Sequence, residues 1–186
     1  MLAIASKGDR QVRKEPIYSQ LKDGTEIVLR PIRPEDKTLL ATGMARLSDR
    51  SRRLRFLTPT DKLTRGQLAY LTEVDQRDHQ AWGVLAGGEP IAVGRLVRLS
   101  DEDGEVAITV VDDWQRKGVG DLLVRLLGVL AKEADIRRLI FVSLPENQGI
   151  VNLTARFGGE SRIEDGLITT TVSVDKVPPP SFIVTT

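Results

Sequence analysis

Two hydrophobic rhythms alternate along the chain. Over residues 119–134, Val119, Leu122, Leu123, Leu126, Leu127, Leu130, Ala131 and Ala134 recur at the i, i+3, i+4, i+7 spacing of a helix that buries one face. Elsewhere, short apolar runs rich in β-branched residues predict strands at 26–33, 81–86, 91–97, 105–111, 139–143 and 167–174. Between the first two strands, Pro34 opens a helical pattern through Leu39, Leu40, Met44 and Leu47. Its first turn carries Glu35 and Asp36, where the helix dipole favours negative charge. Ser48 is placed to cap a second helix through Leu54 and Phe56. Thr64 and Gln67 form a capping box for a third, with Leu68 and Leu71 inward. Another helix is expected from Asn147. Gly87-Gly88 is a hairpin turn signal, and the Asp-Gly pair at 103–104 reads as the turn before the next strand. This order predicts an α/β (α+β) sandwich around one mixed sheet of six to seven strands, flanked by helices.

The ends read differently. Residues 1–20 are expected to be a flexible lead-in, 21–177 one folded domain, and 178–186 a tail that begins with three prolines, which cannot continue a sheet interior. The first ten residues lack the long apolar stretch of a secretory signal. No run approaches the roughly 18 apolar residues of a membrane span. The expectation is a cytoplasmic protein with no membrane partner.

Composition then narrows the chemistry. Of 186 residues, none is cysteine and one is histidine, which removes disulfides, thiolate nucleophiles and Cys-bearing zinc sites, and leaves almost no material for a His-built metal centre or a Ser-His-Asp triad. No metal is expected. With 27 Lys+Arg against 26 Asp+Glu the formal net charge is +1, so binding nucleic acid through bulk charge is not expected either. The remaining tools are carboxylates, hydroxyls, backbone amides and a borrowed cofactor.

The cofactor has a place. At 110–121 the sequence VVDDWQRKGVGD runs from a strand end through Gln115, Arg116, Lys117, Gly118 and Gly120 into the long helix. Glycines let the backbone approach a ligand closely, the loop amides and the helix N-terminus attract an anion, and Arg116 and Lys117 add whole charges. A pyrophosphate suits such a cradle. Neither the P-loop pattern nor the dinucleotide-binding G-x-G-x-x-G is present. The pattern that fits is [Q/R]-x-x-G-x-[G/A] between a strand and a long helix. It resembles the acetyl-CoA pyrophosphate loop of the GNAT superfamily of N-acetyltransferases. The approach through Ile108, Val110 and Trp114 and the downstream Glu146-Asn147, Leu153, Arg156 and Gly158 are similar to that family's pattern over residues 25–175. Segments 47–56 and 71–75, with His79, look like its bacterial protein-lysine acetyltransferase branch.

The resemblance implies a GNAT-type, mostly antiparallel sheet. It also implies acetyl-CoA as co-substrate and direct transfer of acetyl to an amine, with a protein lysine as one acceptor. A non-catalytic acyl-CoA-binding sensor and a small-molecule amine acetyltransferase are the alternatives. Nothing sets the oligomeric state, and a homodimer is compatible with the sequence. A free lysine amine has a pKa of about 10.4, so a base must take its proton. Glu105, at the start of its strand, is similar to the family's general base. The resemblance assigns cofactor contacts to Ile108, Thr109, Val110, Gln115, Arg116, Lys117, Gly118, Val119, Gly120, Asp121 and Asn147. A backbone N–H near Val110 would meet the oxyanion. Asn147 reads equally as a helix cap. Thr154 stands where the family's acid, a tyrosine, is expected, and a threonine hydroxyl is too weak an acid for that task. His79 reads more simply as a loop histidine than as an acceptor-site residue. Arg46, Arg50, Arg52, Arg53 and Arg55 read as a solvated basic face, with contact to an anionic cofactor or acidic acceptor as the sharper alternative.

Overall fold

The computed structural model describes residues 15–181. Eight strands, β1 (Ile17–Gln20), β2 (Glu26–Pro31), β3 (His79–Ala86), β4 (Glu89–Arg98), β5 (Asp103–Val110), β6 (Arg138–Ser143), β7 (Glu160–Glu164) and β8 (Leu167–Ser173), form one sheet in the order β1-β2-β3-β4-β5-β6-β8-β7. Every neighbouring pair is antiparallel except β5 and β6. Five helices accompany it: α1 (Lys37–Ala45), α2 (Asp49–Phe56), α3 (Arg65–Thr72), α4 (Val119–Glu133) and α5 (Gln148–Ala155).

The expected mixed, mostly antiparallel sheet is present with eight strands rather than six to seven. The two additions are edge strands. β1 pairs residue for residue with β2 over Ile17–Gln20, inside the stretch expected to be a loose lead-in; residues 1–14 of that lead-in and 182–186 of the expected tail lie outside the described residues. β7, with the sequence ESRIE, is exposed along its whole length, so it carries no alternation of buried and exposed positions from which to predict it.

The caps form as expected. Ser48 Oγ accepts from the Ser51 amide at 3.2 Å, and Thr64 and Gln67 exchange both bonds of a capping box. The Asp103-Gly104 pair is not a turn. The turn lies just before it, where Leu99 and Ser100 donate to the Asp103 carbonyl, and Gly104 is already in β5. A Cβ there would come within 2.6 Å of Leu96 Cδ1, so the glycine admits close packing and not a bend.

The predicted long helix supplies more core residues than any other element. Leu123, Leu126, Leu127 and Ala131 of α4 are fully buried against Trp82, Leu96, Val106 and Phe141 of the sheet. Burying each large side chain is worth about 1.5–3 kcal/mol. Since Gly104 and Val106 face this core, strand alternation puts Glu105 on the opposite face, the one covered by α1, α2 and α3. The site depends on that division.

Candidate functional site

β5 and β6 pair only over Asp103–Glu105 with Arg138–Ile140, after which β5 continues to Val110 paired with β4 alone. Glu105 therefore stands at the vertex of a V-shaped opening, and the β6-facing edge of the rest of β5 is left free. Beyond the opening, the chain makes a short 3₁₀ turn at Asp112–Trp114 and enters α4.

The loop before α4 is shaped by two left-handed residues, Arg116 at φ 61° and Gly118 at φ 89°. Gly118 is the N-cap and offers no side chain to the helix. The N–H groups of Val119, Gly120 and Asp121 consequently have no intrahelical acceptor and form a ready anion site at the positive end of a 15-residue helix. Gln115 holds the loop in place, its side-chain amide donating to the Val110 carbonyl at 3.2 Å and to Ser51 Oγ at 3.3 Å. Asp112 ties the same loop to α2: its carboxylate accepts from the Ser48 amide at 2.9 Å, Ser48 Oγ at 2.9 Å and Ser51 Oγ at 2.8 Å. Burial pushes the Asp112 carboxyl pKa up, but these hydrogen bonds outweigh it and hold the group below the usual carboxylate range.

A groove of about 660 Å³ runs from this loop along β5, between α2 and α5. Its wall includes Ile108, Thr109 and Val110 of β5, Gln115, Arg116, Gly118, Gly120 and Asp121 of the loop and helix start, and Asn147 across from them. Two of the expected cofactor residues turn their side chains elsewhere. Val119 is 1% exposed and belongs to the core, because an apolar side chain in the first turn of α4 faces the sheet. Lys117 lies over the Trp114 ring, 4.7 Å from its centroid, and is not on the groove wall. Asp121 lines the groove, yet its carboxylate is taken by Arg125 at 2.6 Å, so its backbone amide is what it offers an anion. Asn147 caps α5, its Oδ1 accepting from the Ile150 amide at 3.3 Å, and its side-chain N–H groups have no partner among the described residues.

The arginines of α2 and its approach do not form one solvated face. Arg46 donates to the Pro90 carbonyl at 3.0 Å, Arg52 to the Leu47 carbonyl and the Asp49 carboxylate, and Arg53 crosses to Glu146 at 2.9 Å, bridging α2 to the approach of α5. Arg50 and Arg55 line the groove.

Glu105 is half-buried at the inner end of the opening and acts electrostatically on Arg55. Thr154 is 1% exposed, and its hydroxyl donates to the carbonyls of Ile150 and Val151 at 2.9 and 3.2 Å. It is committed to its own helix and faces the interior. His79 is not a loop residue: it begins β3, half-buried, with its ring 5.1 Å from that of Tyr70 and its Nε2 3.3 Å from Arg95 Nη1. Arg95 is the residue that pattern reading missed. It is 4% exposed, donates to the Leu71 carbonyl at 2.6 Å, and has its pKa pushed down to about 9 by burial and by the nearby Arg55 cation. The available signal was a charge in the middle of the apolar run 91–97. Because Arg95 donates, His79 Nε2 must accept, which puts the imidazole proton on Nδ1; burial and Arg95 both lower the His79 pKa, against the opposing pull of Asp75. Among the described residues, no group of three or more His, Cys, Asp or Glu side chains is placed to hold a metal ion, and no helix is long and apolar enough to cross a membrane.

Residues 26–160 match the family model for the acetyltransferase (GNAT) domain. The chain is 35% identical over 167 residues to Acetyltransferase Pat of Mycolicibacterium smegmatis, covering 87% of this chain and 50% of that protein; it thus spans half the length of that relative. The GNAT domain of S. lividans PAT superposes with a TM-score of 0.81 at 27% identity, covering 85% of this chain and 96% of that one. A cAMP-binding acyltransferase from Mycobacterium smegmatis superposes with a TM-score of 0.64 at 32% identity, over 90% of this chain and 50% of that one.

Proposed function

The chain belongs to the GNAT acetyltransferase family, in its bacterial protein acetyltransferase branch, and we propose that it moves acetyl from acetyl-CoA directly to an amine, with a protein lysine as the acceptor. The observation that supports this most is the conjunction of an uncapped helix start, built to hold a pyrophosphate, with a carboxylate at the vertex where β5 parts from β6. In this proposal Gly118, Gly120 and the Asp121 amide hold the pyrophosphate, with Gln115 and Arg116 shaping the loop. Ile108, Thr109 and Val110 present the free edge of β5 to the pantetheine arm. Asn147 meets the same arm from α5.

Glu105 takes the proton from the acceptor amine. Attack on the thioester carbonyl then forms a tetrahedral oxyanion that a β5 backbone N–H near Val110 stabilises. Collapse expels the CoA thiolate. Thr154 has no part in protonating it. The thiolate is a good leaving group (thiol pKa about 8.5), and the proton released by the amine is available for it through Glu105 or water. A cysteine intermediate is excluded because the chain has no cysteine.

Thr154 favours one other reading, a sensor that binds acyl-CoA without turning it over. Acetyl-CoA is expected to raise the thermal midpoint under either reading. Release of CoA thiol with lysine-bearing proteins decides between them, and it can be followed without background because the protein contributes no thiol. Binding without turnover on any amine would defeat the enzyme reading.

A further inference from the structure

Behind Thr109, between the sheet and α1–α3, lies a small pouch of about 70 Å³. Arg55 and Thr109 belong both to its lining and to the wall of the cofactor groove, so the two spaces meet at these side chains. Much of the pouch is apolar, with Leu47, Phe56 and Val111 among its walls. Three guanidinium groups, of Arg30, Arg55 and Arg95, also line it against a single carboxylate, Asp36.

That carboxylate is already engaged. Arg30 grips both Asp36 oxygens at 2.7 Å, and the Arg33 amide donates to it at 2.8 Å. Among the described residues, Arg95 reaches only a backbone carbonyl and His79. Arg55 makes no hydrogen bond and no ion pair among the described residues; it rests on the Phe56 ring at 5.1 Å and feels Glu105. Two neighbouring cations in a poorly solvated space, with ten N–H donors between them and few acceptors, are costly to maintain. Such an arrangement is completed by an anion that arrives from outside. Arg55 shares both linings with Thr109 and also feels Glu105, so this cation stands on the helix-covered face of β5, between the reacting stretch of the groove and the carboxylate at its vertex. The volume accommodates several water-sized probes, enough for a carboxylate.

Building on the acetyl-transfer reading above, we propose that this pouch is a carboxylate subsite for the acceptor: Arg55, backed by Arg95, receives a carboxylate carried near the amine that Glu105 deprotonates. The carboxylate is that of an Asp or Glu flanking the modified lysine, or that of a free amino acid. In either case it orients the amine toward the thioester and neutralises the cation pair.

The test uses two matched pairs of acceptors: a lysine peptide flanked by glutamates against the same peptide flanked by glutamines, and free lysine against cadaverine. The acidic member of at least one pair is expected to have a kcat/KM at least tenfold higher. Arg55→Gln should reduce that preference to within twofold, and Arg55→Lys should keep part of it. The peptide pair responding identifies a side-chain carboxylate, and the free-lysine pair responding identifies an amino acid substrate. Equal use of both members in both pairs, or a uniform loss in Arg55→Gln with the preference intact, overturns the proposal. A second measurement does not depend on transfer. Sodium formate, compared with sodium chloride at equal ionic strength, should raise the thermal midpoint of the native protein and leave that of Arg55→Gln and Arg55→Lys less changed. Formate stabilisation without any acetyl transfer would defeat the enzyme reading and keep the anion site. Equal stabilisation of native protein and Arg55→Gln would defeat the anion site whatever the kinetics of transfer.

Discussion

The two ends of the groove are made by different means. At the cofactor end, one continuous stretch from Ile108 to Asp121 does most of the work: a strand edge, a turn with two left-handed residues, and a helix start whose amides have no acceptor. Its chemistry belongs to the backbone, and Gln115 and Asp112 brace it. At the acceptor end, Arg55, Tyr70, His79, Arg95 and Glu105 come from two helices and three strands and meet only because the sheet and α1–α3 close on one another. There the chemistry belongs to side chains, and burial lowers the pKa of Arg55, His79 and Arg95. A backbone-built site tolerates side-chain change and fails when its conformation is disturbed. A side-chain-built site does the reverse.

The sharpest way to break this comparison is Glu105→Gln. If the acceptor end depends on one proton-accepting side chain, kcat should fall by about 10²–10⁴-fold, the usual worth of a general base, while acetyl-CoA affinity from calorimetry stays within about twofold. Loss of acetyl-CoA binding, or full turnover, would place the base elsewhere.

Next in size is Gly118→Ala. Among the described residues, no neighbouring atom lies within 4 Å of an added Cβ, so sterics with the described fold are not at issue. The strain is in the backbone at φ 89°, costing about 1–2 kcal/mol for a non-glycine residue. Expressed through the loop, this predicts roughly tenfold weaker acetyl-CoA binding (1.4 kcal/mol is about tenfold). Preference among acceptors at saturating acetyl-CoA should not change. A changed preference would show that the two ends are not separable.

Asp112 tests the brace between them. Asp112→Ala removes three hydrogen bonds that join α2 to the loop, worth about 1 kcal/mol each at most once solvent replaces them. Its folded-state pKa is depressed. The stabilisation is therefore fully present above the unfolded value of about 3.9 and is lost as pH falls through the lower folded value. Denaturant midpoints of the native protein and Asp112→Ala should differ by a constant amount from pH 7 to about pH 5 and converge as pH falls below the unfolded value of about 3.9. A difference that grows with acidity would reverse the sign and remove Asp112 from this role.

The same contrast governs what could be read from the chain. The α4 periodicity, the Thr64–Gln67 box and the QRKGVG loop are local patterns whose causes lie within a few residues, and the structure places them where the sequence puts them. β7 has no buried face to leave a pattern. Lys117 and Val119 share the loop's motif, yet their side chains turn to Trp114 and to the core, since a motif specifies backbone shape and not the direction of every side chain. Arg95 and His79 acquire their character from burial against α3 and from each other. No window of contiguous sequence contains that information.

Thr154→Val produces the smallest effect and bears on the one departure from the family's pattern. The hydroxyl is inside the protein, bonded to carbonyls one turn earlier in α5, and those carbonyls also serve the helix ladder. Replacing it with a methyl group of similar size should cost about 1 kcal/mol or less and leave kcat within about twofold. Thr154→Tyr is not expected to install an acid. The position is 1% exposed, so the larger ring lacks room and should lower the thermal midpoint without raising turnover. If Thr154→Val instead lost activity with its stability intact, the hydroxyl would have to leave its own helix carbonyls and turn toward the groove during the reaction, and the site would include a group that the folded chain keeps bonded within α5.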